Sequence, residues 1–209
     1  MAHLIGIINY GMGNIKSVCN AFEHLGEEVR TFETIDGIEA CSHLILPGVG
    51  AFPQAMANLR ERGFVAAIRA HVAAARPFLG ICLGMQVLAD EGEEIAPTKG
   101  IGLISGRVRR LDVPLHIPHV GWNNVEWRRE HPVFNDVPCN VDFYFVHSYF
   151  FEPADPAHLL AVTDYGRDIP CALTDGGCVV AVQFHPEKSQ ENGLRILENF
   201  ALWDGRLGC

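Results

Sequence analysis

The stretch PFLGICLGMQVL, residues 77–88, is the most informative part of this chain. An apolar run stops at Cys82, which has a glycine two residues away on either side, and a helix-like segment, 85–88, follows. In a G-x-nucleophile-x-G elbow, the nucleophile lies on a strained turn from strand to helix, where flanking side chains would collide. The pattern predicts a nucleophilic Cys82 at a helix N-terminus, which favours thiolate. A buried core cysteine between two turn glycines would give the same motif.

A second signal lies about a hundred residues downstream. Residues 179–184, VVAVQF, have the β-branched character of a buried strand, and they lead into His185, Pro186 and Glu187. Residues two apart in an extended segment project to the same side. Glu187 can therefore hold the tautomer of His185 while the other ring nitrogen addresses a thiol. A surface His-Pro-Glu turn is the alternative, and the elbow in the same chain argues against it.

Composition limits the class of protein. The chain has 209 residues, 48% of them hydrophobic, and a formal net charge of −9. We expect a single domain over residues 1–209. The acidic balance argues against binding to nucleic acid, which needs a basic face. No segment approaches the ~20 apolar residues of a membrane span, and the first residues lack the pattern of a signal peptide. We therefore expect no membrane association and a cytoplasmic location.

The seven cysteines are odd in number, and no two are spaced as in C-x-x-C. A disulfide framework, a redox motif and a zinc site are therefore not expected. Only Cys82 has an activating context, and Cys209 is expected to be exposed and incidental. His116 and His119 have no third ligand at a clear spacing, so no metal is predicted. No cofactor is predicted either, because the glycine-rich segments lack the remaining residues of nucleotide-binding motifs.

The order of the elements predicts an α/β fold. Strands and helices alternate through residues 3–81, which favours an open, mostly parallel twisted sheet with helices on both faces. From 101 to 151, prolines and glycines break the chain into an additional short-stranded antiparallel segment. Strands at 159–163, 169–174 and 179–183 complete the sheet, and a helix over 192–203 follows. Active sites of such sheets lie at the carboxyl ends of the strands, where Cys82 and His185 are both expected.

Cys82, His185 and Glu187 together resemble the catalytic triad of the class I (triad) glutamine amidotransferases, and the resemblance covers the whole chain. Within that family the chain is most similar to the glutaminase subunits of imidazole glycerol phosphate synthase. Residues 47–50 are PGVG where related glutaminases usually carry Pro-Gly-Gly, and Met85 stands where anthranilate-type enzymes usually have histidine. Four segments carry the narrower resemblance: NYGMGN at 9–14, PGVGAF at 47–52, PHVGWN at 118–123 and HPEKS at 185–189.

The resemblance implies that the chain hydrolyses L-glutamine to glutamate and ammonia in histidine biosynthesis. Cys82 would attack the carboxamide, His185 would move the proton and Glu187 would orient His185. The oxyanion needs backbone N–H donors, which Leu83 and either Val49 or Gly50 would supply, whereas Pro47 cannot donate. The residues expected to hold the amino-acid end of glutamine are Gln86, Ser148 and Tyr149.

The resemblance also implies a partner, a (β/α)8-barrel cyclase subunit that uses the ammonia in a heterodimer. Trp122 suits an anchor in that interface, although a core tryptophan is an equal alternative. The other interface candidates are Tyr10, Met12 and Asn14. Two other functions stay open: a glutaminase subunit of another synthase, of the aminodeoxychorismate, anthranilate or guanylate type, and a freestanding cysteine hydrolase.

Overall fold

The computed structural model describes residues 4–207, so His3 and Cys209 lie outside the described residues. The helices are α1 Ile15–His24, α2 Phe52–Glu61, α3 Phe64–Ala73, α4 Leu83–Gln86 and α5 Gln190–Leu202. The strands are β1 Leu4–Ile8, β2 Glu28–Phe32, β3 His43–Gly48, β4 Phe78–Cys82, β5 Glu91–Gly92, β6 Thr98–Lys99, β7 Gly106–Arg110, β8 His119–Trp127, β9 Val141–His147, β10 Tyr149–Pro153, β11 Leu159–Asp164, β12 Asp168–Thr174 and β13 Val179–Val182.

Nine of these strands form the main sheet of residues 4–207, in the order β2-β1-β3-β4-β13-β12-β11-β8-β9. The first five in this order are parallel, and the last four continue the sheet in antiparallel pairs. The parallel strands β3, β4 and β13 are buried along their whole length, because helices cover both faces. The predicted α/β fold with helices on both faces is confirmed.

Alternate side chains of the parallel strands belong to two separate cores. Ile45 and Leu79 pack in one core with α1 and α5. Leu44 and Phe78 point to the opposite face and pack with α2 and α3. This alternation follows from the two-residue period of a strand, which sends successive side chains to opposite faces. The sheet is thereby fixed between two helical layers.

The region predicted to be antiparallel contributes to two sheets. The strands β8 and β9 pair along their length and extend the main sheet. A second sheet of the described chain has the order β10-β7-β5-β6. A turn around Gly176 joins the antiparallel strands β12 and β13. Between residues 4 and 207 the longest helix is α5, with 13 residues, and no helix is long and apolar enough to span a bilayer.

Candidate active site

The elbow around Cys82 has the strained geometry that its glycines predict. Cys82 has φ 56° and ψ −112°, an unusual conformation for a side-chain-bearing residue. A Cβ on Gly84 would lie 1.7 Å from the backbone oxygen of Leu46, and one on Gly80 would lie 2.8 Å from the oxygen of Gly84. The helix α4 therefore packs directly against β3 and β4. Only glycine at these two positions leaves room for that approach.

The neighbouring strands bring two further segments to Cys82. Gly48 is the register partner of Cys82 in the β3–β4 pair, so the PGVG segment begins beside the sulfur. On the other side, Val182 of β13 pairs with Ile81, and the chain then reaches His185 three residues later. All three segments leave the carboxyl ends of adjacent parallel strands. This common edge is where α/β sheets place their binding sites.

His185 and Glu187 form a buried pair on the short turn Pro186–Lys188. His185 Nδ1 lies 2.8 Å from Glu187 Oε1, and the two side chains are only 2% and 1% exposed. Because an ionised carboxylate only accepts, Nδ1 carries the hydrogen of this bond. The backbone N–H of His185 donates to Tyr144 O at 2.9 Å, and the Ser189 hydroxyl donates to His185 O at 2.6 Å, which fixes the turn.

The Cys82 sulfur interacts with the His185 ring. Nε2 is buried and has no bond of normal geometry within the described residues, yet Cys82 is close enough to influence its charge. Burial lowers the pKa of His185, but the Cys82 sulfur and the Glu187 carboxylate outweigh burial and raise the pKa to about 9. The imidazole therefore holds a proton at neutral pH. This is the state that a group donating a proton to leaving ammonia requires.

A cavity of about 370 Å³ opens above Cys82. Its size is at the lower end of the range for small-molecule sites. The cavity brings Cys82 together with all six residues predicted for the oxyanion and substrate: Val49, Gly50, Leu83, Gln86, Ser148 and Tyr149. It is completed by Glu94, Pro118, Val146 and His147.

Two polar residues of this site were missed from the sequence. Gln183 is fully buried, and its Nε2 donates to Cys82 Sγ at 3.6 Å while its Oε1 accepts from Gln86 Nε2 at 2.9 Å. A signal for it existed, because Gln183 is a polar residue in an apolar strand, two positions before His185. Glu94 lines the cavity and accepts from the backbone N–H of Phe52 at 2.7 Å. No local pattern distinguished it from the neighbouring carboxylates.

The interface candidates have different positions in the fold. Tyr10 is fully buried in the core beside α2, so its prediction as an interface residue is wrong. Its hydroxyl lies against Gly48, where an added Cβ would come within 2.3 Å of the Tyr10 oxygen. Met12 and Asn14 are partly exposed. Trp122 is 48% exposed, which excludes the alternative of a core tryptophan.

The comparisons with known proteins agree with this geometry. The family model for Glutamine amidotransferase class-I matches residues 6–203. The chain is 46% identical to Imidazole glycerol phosphate synthase subunit HisH of Symbiobacterium thermophilum over 209 residues, covering 100% of this chain and 96% of that protein. It is 43% identical to Imidazole glycerol phosphate synthase subunit HisH 1 of Pseudomonas aeruginosa, covering 99% and 100%.

Solved structures share the fold at lower sequence identity. A chain in the structure of PurLQS from Thermotoga maritima superposes with a TM-score of 0.77 at 18% identity, covering 96% of this chain and 98% of that chain. A glutamine amidotransferase from the same organism gives a TM-score of 0.65 at 20% identity, covering 96% and 83%. At these identities the likeness concerns the fold alone.

Proposed function

The chain belongs to the class I glutamine amidotransferase family, within the HisH subunits of imidazole glycerol phosphate synthase, and from this premise we propose that Cys82, His185 and Glu187 hydrolyse L-glutamine to glutamate and ammonia. The observation that carries the proposal is the cavity that ends at the Cys82 sulfur beside the buried His185–Glu187 pair. The whole-length similarity to HisH subunits favours this synthase over the anthranilate and guanylate types.

The reaction proceeds in two halves. The Cys82 sulfur forms a bond to the carboxamide carbon of glutamine, and the C–N bond then breaks as His185 gives its proton to the leaving ammonia. Water next attacks the γ-glutamyl thioester, His185 takes a proton from it, and the C–S bond breaks to give glutamate. Glu187 keeps the hydrogen of His185 on Nδ1 and stabilises the imidazolium. The oxyanion is held by backbone N–H groups of Leu83 and of Val49 or Gly50.

The polar cavity residues fit the amino-acid end of glutamine. The carboxylate of Glu94 suits the positively charged amino group of the substrate. Ser148 and Tyr149 offer backbone and hydroxyl groups for the amino-acid end. Gln86 lines the same cavity, and its amide nitrogen donates to Tyr149 O and to Gln183 Oε1. Gln86 therefore shapes the wall of the cavity and holds Gln183 against the sulfur.

The ammonia passes to a (β/α)8-barrel cyclase subunit, which docks over the cavity mouth. Exposed apolar side chains lie on the segments that line the cavity and on the adjacent strand β8, and an exposed apolar surface is typical of a docking site. They are Val49 on the PGVG segment, Val120 and Trp122 on β8, and Val146 on β9. Met12 also belongs to this proposed surface, because a Cβ on Gly50 would lie only 2.7 Å from Met12 Cε. A partner that moves Met12 therefore acts directly on the PGVG backbone.

This contact supports partner control of the oxyanion donors. Gly48 and Gly50 allow the peptides between them to change orientation at low cost, and Gly50 already has φ +106°. Losing one oxyanion donor costs ~10²–10³ in rate. The isolated chain is therefore expected to hydrolyse glutamine slowly, and the partner with its nucleotide ligand accelerates it by favouring the productive orientation.

Glutamate release tests the proposal when it is measured for the chain alone, with the barrel subunit, and with the barrel subunit plus its nucleotide ligand. Turnover should rise in that order. Equal turnover in all three conditions contradicts partner control, and no turnover of glutamine in any condition contradicts the glutaminase assignment. Trp122→Ala should weaken assembly with the barrel subunit, whereas substitution of the exposed Leu202, on the far helix α5, should not.

A further inference from the structure

Two buried histidines that the catalytic steps do not use lie side by side behind the cavity. His119 of β8 and His147 of β9 are direct partners in the antiparallel register, and His119 Nδ1 lies 3.0 Å from His147 Nε2. Both side chains are buried, and His147 also lines the cavity. The ring of His119 stacks between Phe145 at 4.8 Å and Tyr165 at 3.9 Å.

The partners of the two rings assign the hydrogens along this pair. His147 Nδ1 lies 2.8 Å from Tyr149 O, and since a carbonyl only accepts, Nδ1 carries the hydrogen. A neutral imidazole has one N–H, so His147 Nε2 accepts, and His119 Nδ1 must be its donor. His119 Nε2 is then an acceptor, and it faces the amide nitrogen of Asn123 at 3.3 Å.

The orientation of Asn123 is fixed independently of the histidines. Its Nδ2 donates to Asp164 O at 2.8 Å, and its Oδ1 accepts from the backbone N–H of Asn124 at 2.9 Å. In the series of hydrogen bonds that runs from Asn123 through His119 and His147 to Tyr149, every donor therefore meets an acceptor. A proton added to either imidazole would place two N–H groups face to face. The arrangement is consistent only when both histidines are neutral.

Burial favours the same neutral state. It lowers the pKa of His119 to about 4. Burial is also the main cause that lowers the pKa of His147, to about 3. The hydrogen bond to Tyr149 raises this pKa, whereas the charged forms of His119 and His185 lower it further. Both ring nitrogens of His147 are engaged, so His147 has no nitrogen left to act as a base toward Cys82.

The series of hydrogen bonds continues from Tyr149 to Cys82. Tyr149 O accepts a second hydrogen bond, from Gln86 Nε2 at 3.0 Å. The same Gln86 nitrogen donates to Gln183 Oε1 at 2.9 Å, and Gln183 Nε2 donates to Cys82 Sγ at 3.6 Å. A connected set of hydrogen bonds thus joins β8 to the sulfur by way of the cavity wall.

We propose that His119 and His147 are positioning residues, which hold the Ser148–Tyr149 wall of the glutamine cavity and, through Gln86 and Gln183, the Cys82 sulfur. This inference rests on the proposed glutaminase function. Loss of the His119 donor leaves the buried Nε2 of His147 unpaired and removes one of the two hydrogen bonds that hold the His147 ring, so Tyr149 O is held less firmly. The larger effect falls on glutamine binding, because Tyr149 bonds to His147 directly, whereas three further hydrogen bonds separate Tyr149 from the Cys82 sulfur.

The test compares two substitutions of His119 in the assembled synthase. His119→Phe keeps a ring between Phe145 and Tyr165 but removes the donor, whereas His119→Asn offers an amide N–H near the position of Nδ1. We expect His119→Phe to raise the KM for glutamine by roughly tenfold, the cost of about one buried hydrogen bond, with kcat changed by less than about threefold. His119→Asn should recover most of the loss.

The matched control is His131→Phe. His131 is also buried and hydrogen bonded, but it caps the turn Pro132–Phe134 away from the cavity. The substitution His131→Phe should leave the KM for glutamine unchanged, even where it lowers the melting temperature of the protein. An unchanged KM in His119→Phe overturns the inference. So does an equal rise in His131→Phe, since this would reflect general destabilisation.

Nitrogen NMR of the histidine rings supplies a readout that needs no turnover. In the unmodified protein, both His119 and His147 should carry the hydrogen on Nδ1, with a scalar coupling between His119 Nδ1 and His147 Nε2, and both should stay neutral down to about pH 5. Any other tautomer, or protonation of either ring above that pH, overturns the inference. If the unmodified synthase did not use glutamine at all, the proposed function would fail. The NMR result would still show whether His119 and His147 have the inferred tautomers and the hydrogen bond between them.

Discussion

Glu187→Gln is the most informative substitution at the candidate triad, because it removes the charge beside His185 and preserves the size of the side chain. The pKa of His185 is raised from 6.5 to about 9, by Cys82 and Glu187 acting together against burial. This shift corresponds to roughly 3 kcal/mol in favour of the imidazolium, at ~1.4 kcal/mol per pH unit. Without the carboxylate, burial and the Cys82 sulfur remain, so the pKa should fall by about one unit or more.

The sign of the pH effect follows from the role of the proton. His185 must be protonated to release ammonia, so activity should decline as the pH rises through the pKa of His185, near 9 in the unmodified protein. In Glu187→Gln this decline should begin at lower pH by about one unit. At neutral pH the lower pKa still leaves His185 mostly protonated, so the loss there comes from the orientation and tautomer of the ring; it should be up to ~10⁴ and smaller than in His185→Ala.

The assay is glutamate release by the assembled synthase, with kcat and kcat/KM measured from about pH 6 to about pH 10. Glu198→Gln is the matched control, since it makes the same change at the outer face of α5, where Glu198 pairs only with Arg195 among the described residues. A uniform loss at every pH, with the alkaline decline unmoved, would refute the electrostatic part of the reasoning. Full activity in Glu187→Gln would remove Glu187 from the triad.

Two further predictions concern the elbow. Cys82→Ala should abolish glutamine-dependent synthesis but leave ammonia-dependent synthesis by the assembled complex, because free ammonia bypasses the glutaminase; glutamine turnover by this variant would disprove the nucleophile. Gly84→Ala should destabilise the fold by about 1–3 kcal/mol in denaturant unfolding, because its Cβ would lie 1.7 Å from Leu46 O. Gly177→Ala, whose Cβ meets nothing closer than 3.5 Å, should stay within about 0.5 kcal/mol, and equal losses would contradict the steric argument.

Several features of the site were predictable because short-range rules produce them. The elbow needs small residues wherever a helix leaves a strand abruptly, so Gly80 and Gly84 in the sequence alone indicate the position of Cys82. The nearness of His185 and Glu187 was also predictable, but by a different route from the one assumed: the strand β13 ends at Val182, and the short turn Pro186–Lys188 brings the two side chains together. Gln183 lies in the same segment just after the strand. The alternation of apolar strands and helices indicated the parallel layers correctly.

Other features depended on contacts between distant segments. Tyr10 was predicted as an interface candidate, yet packing against α2 and Gly48 buries it completely. Glu94 reaches the cavity only because the second sheet places it beside Phe52.

The sequence by itself determined the candidate chemistry, because each of its two motifs is local: the turn that presents the sulfur spans residues 80–84, and His185 and Glu187 are two positions apart. Only the tertiary structure decided which polar groups surround them. His119 and His147 are 28 positions apart, and nothing in either segment indicates the other. Their contact, their tautomers and their link to Cys82 arise from the register of β8 against β9, which is set by burial of a whole sheet face and not by any local pattern.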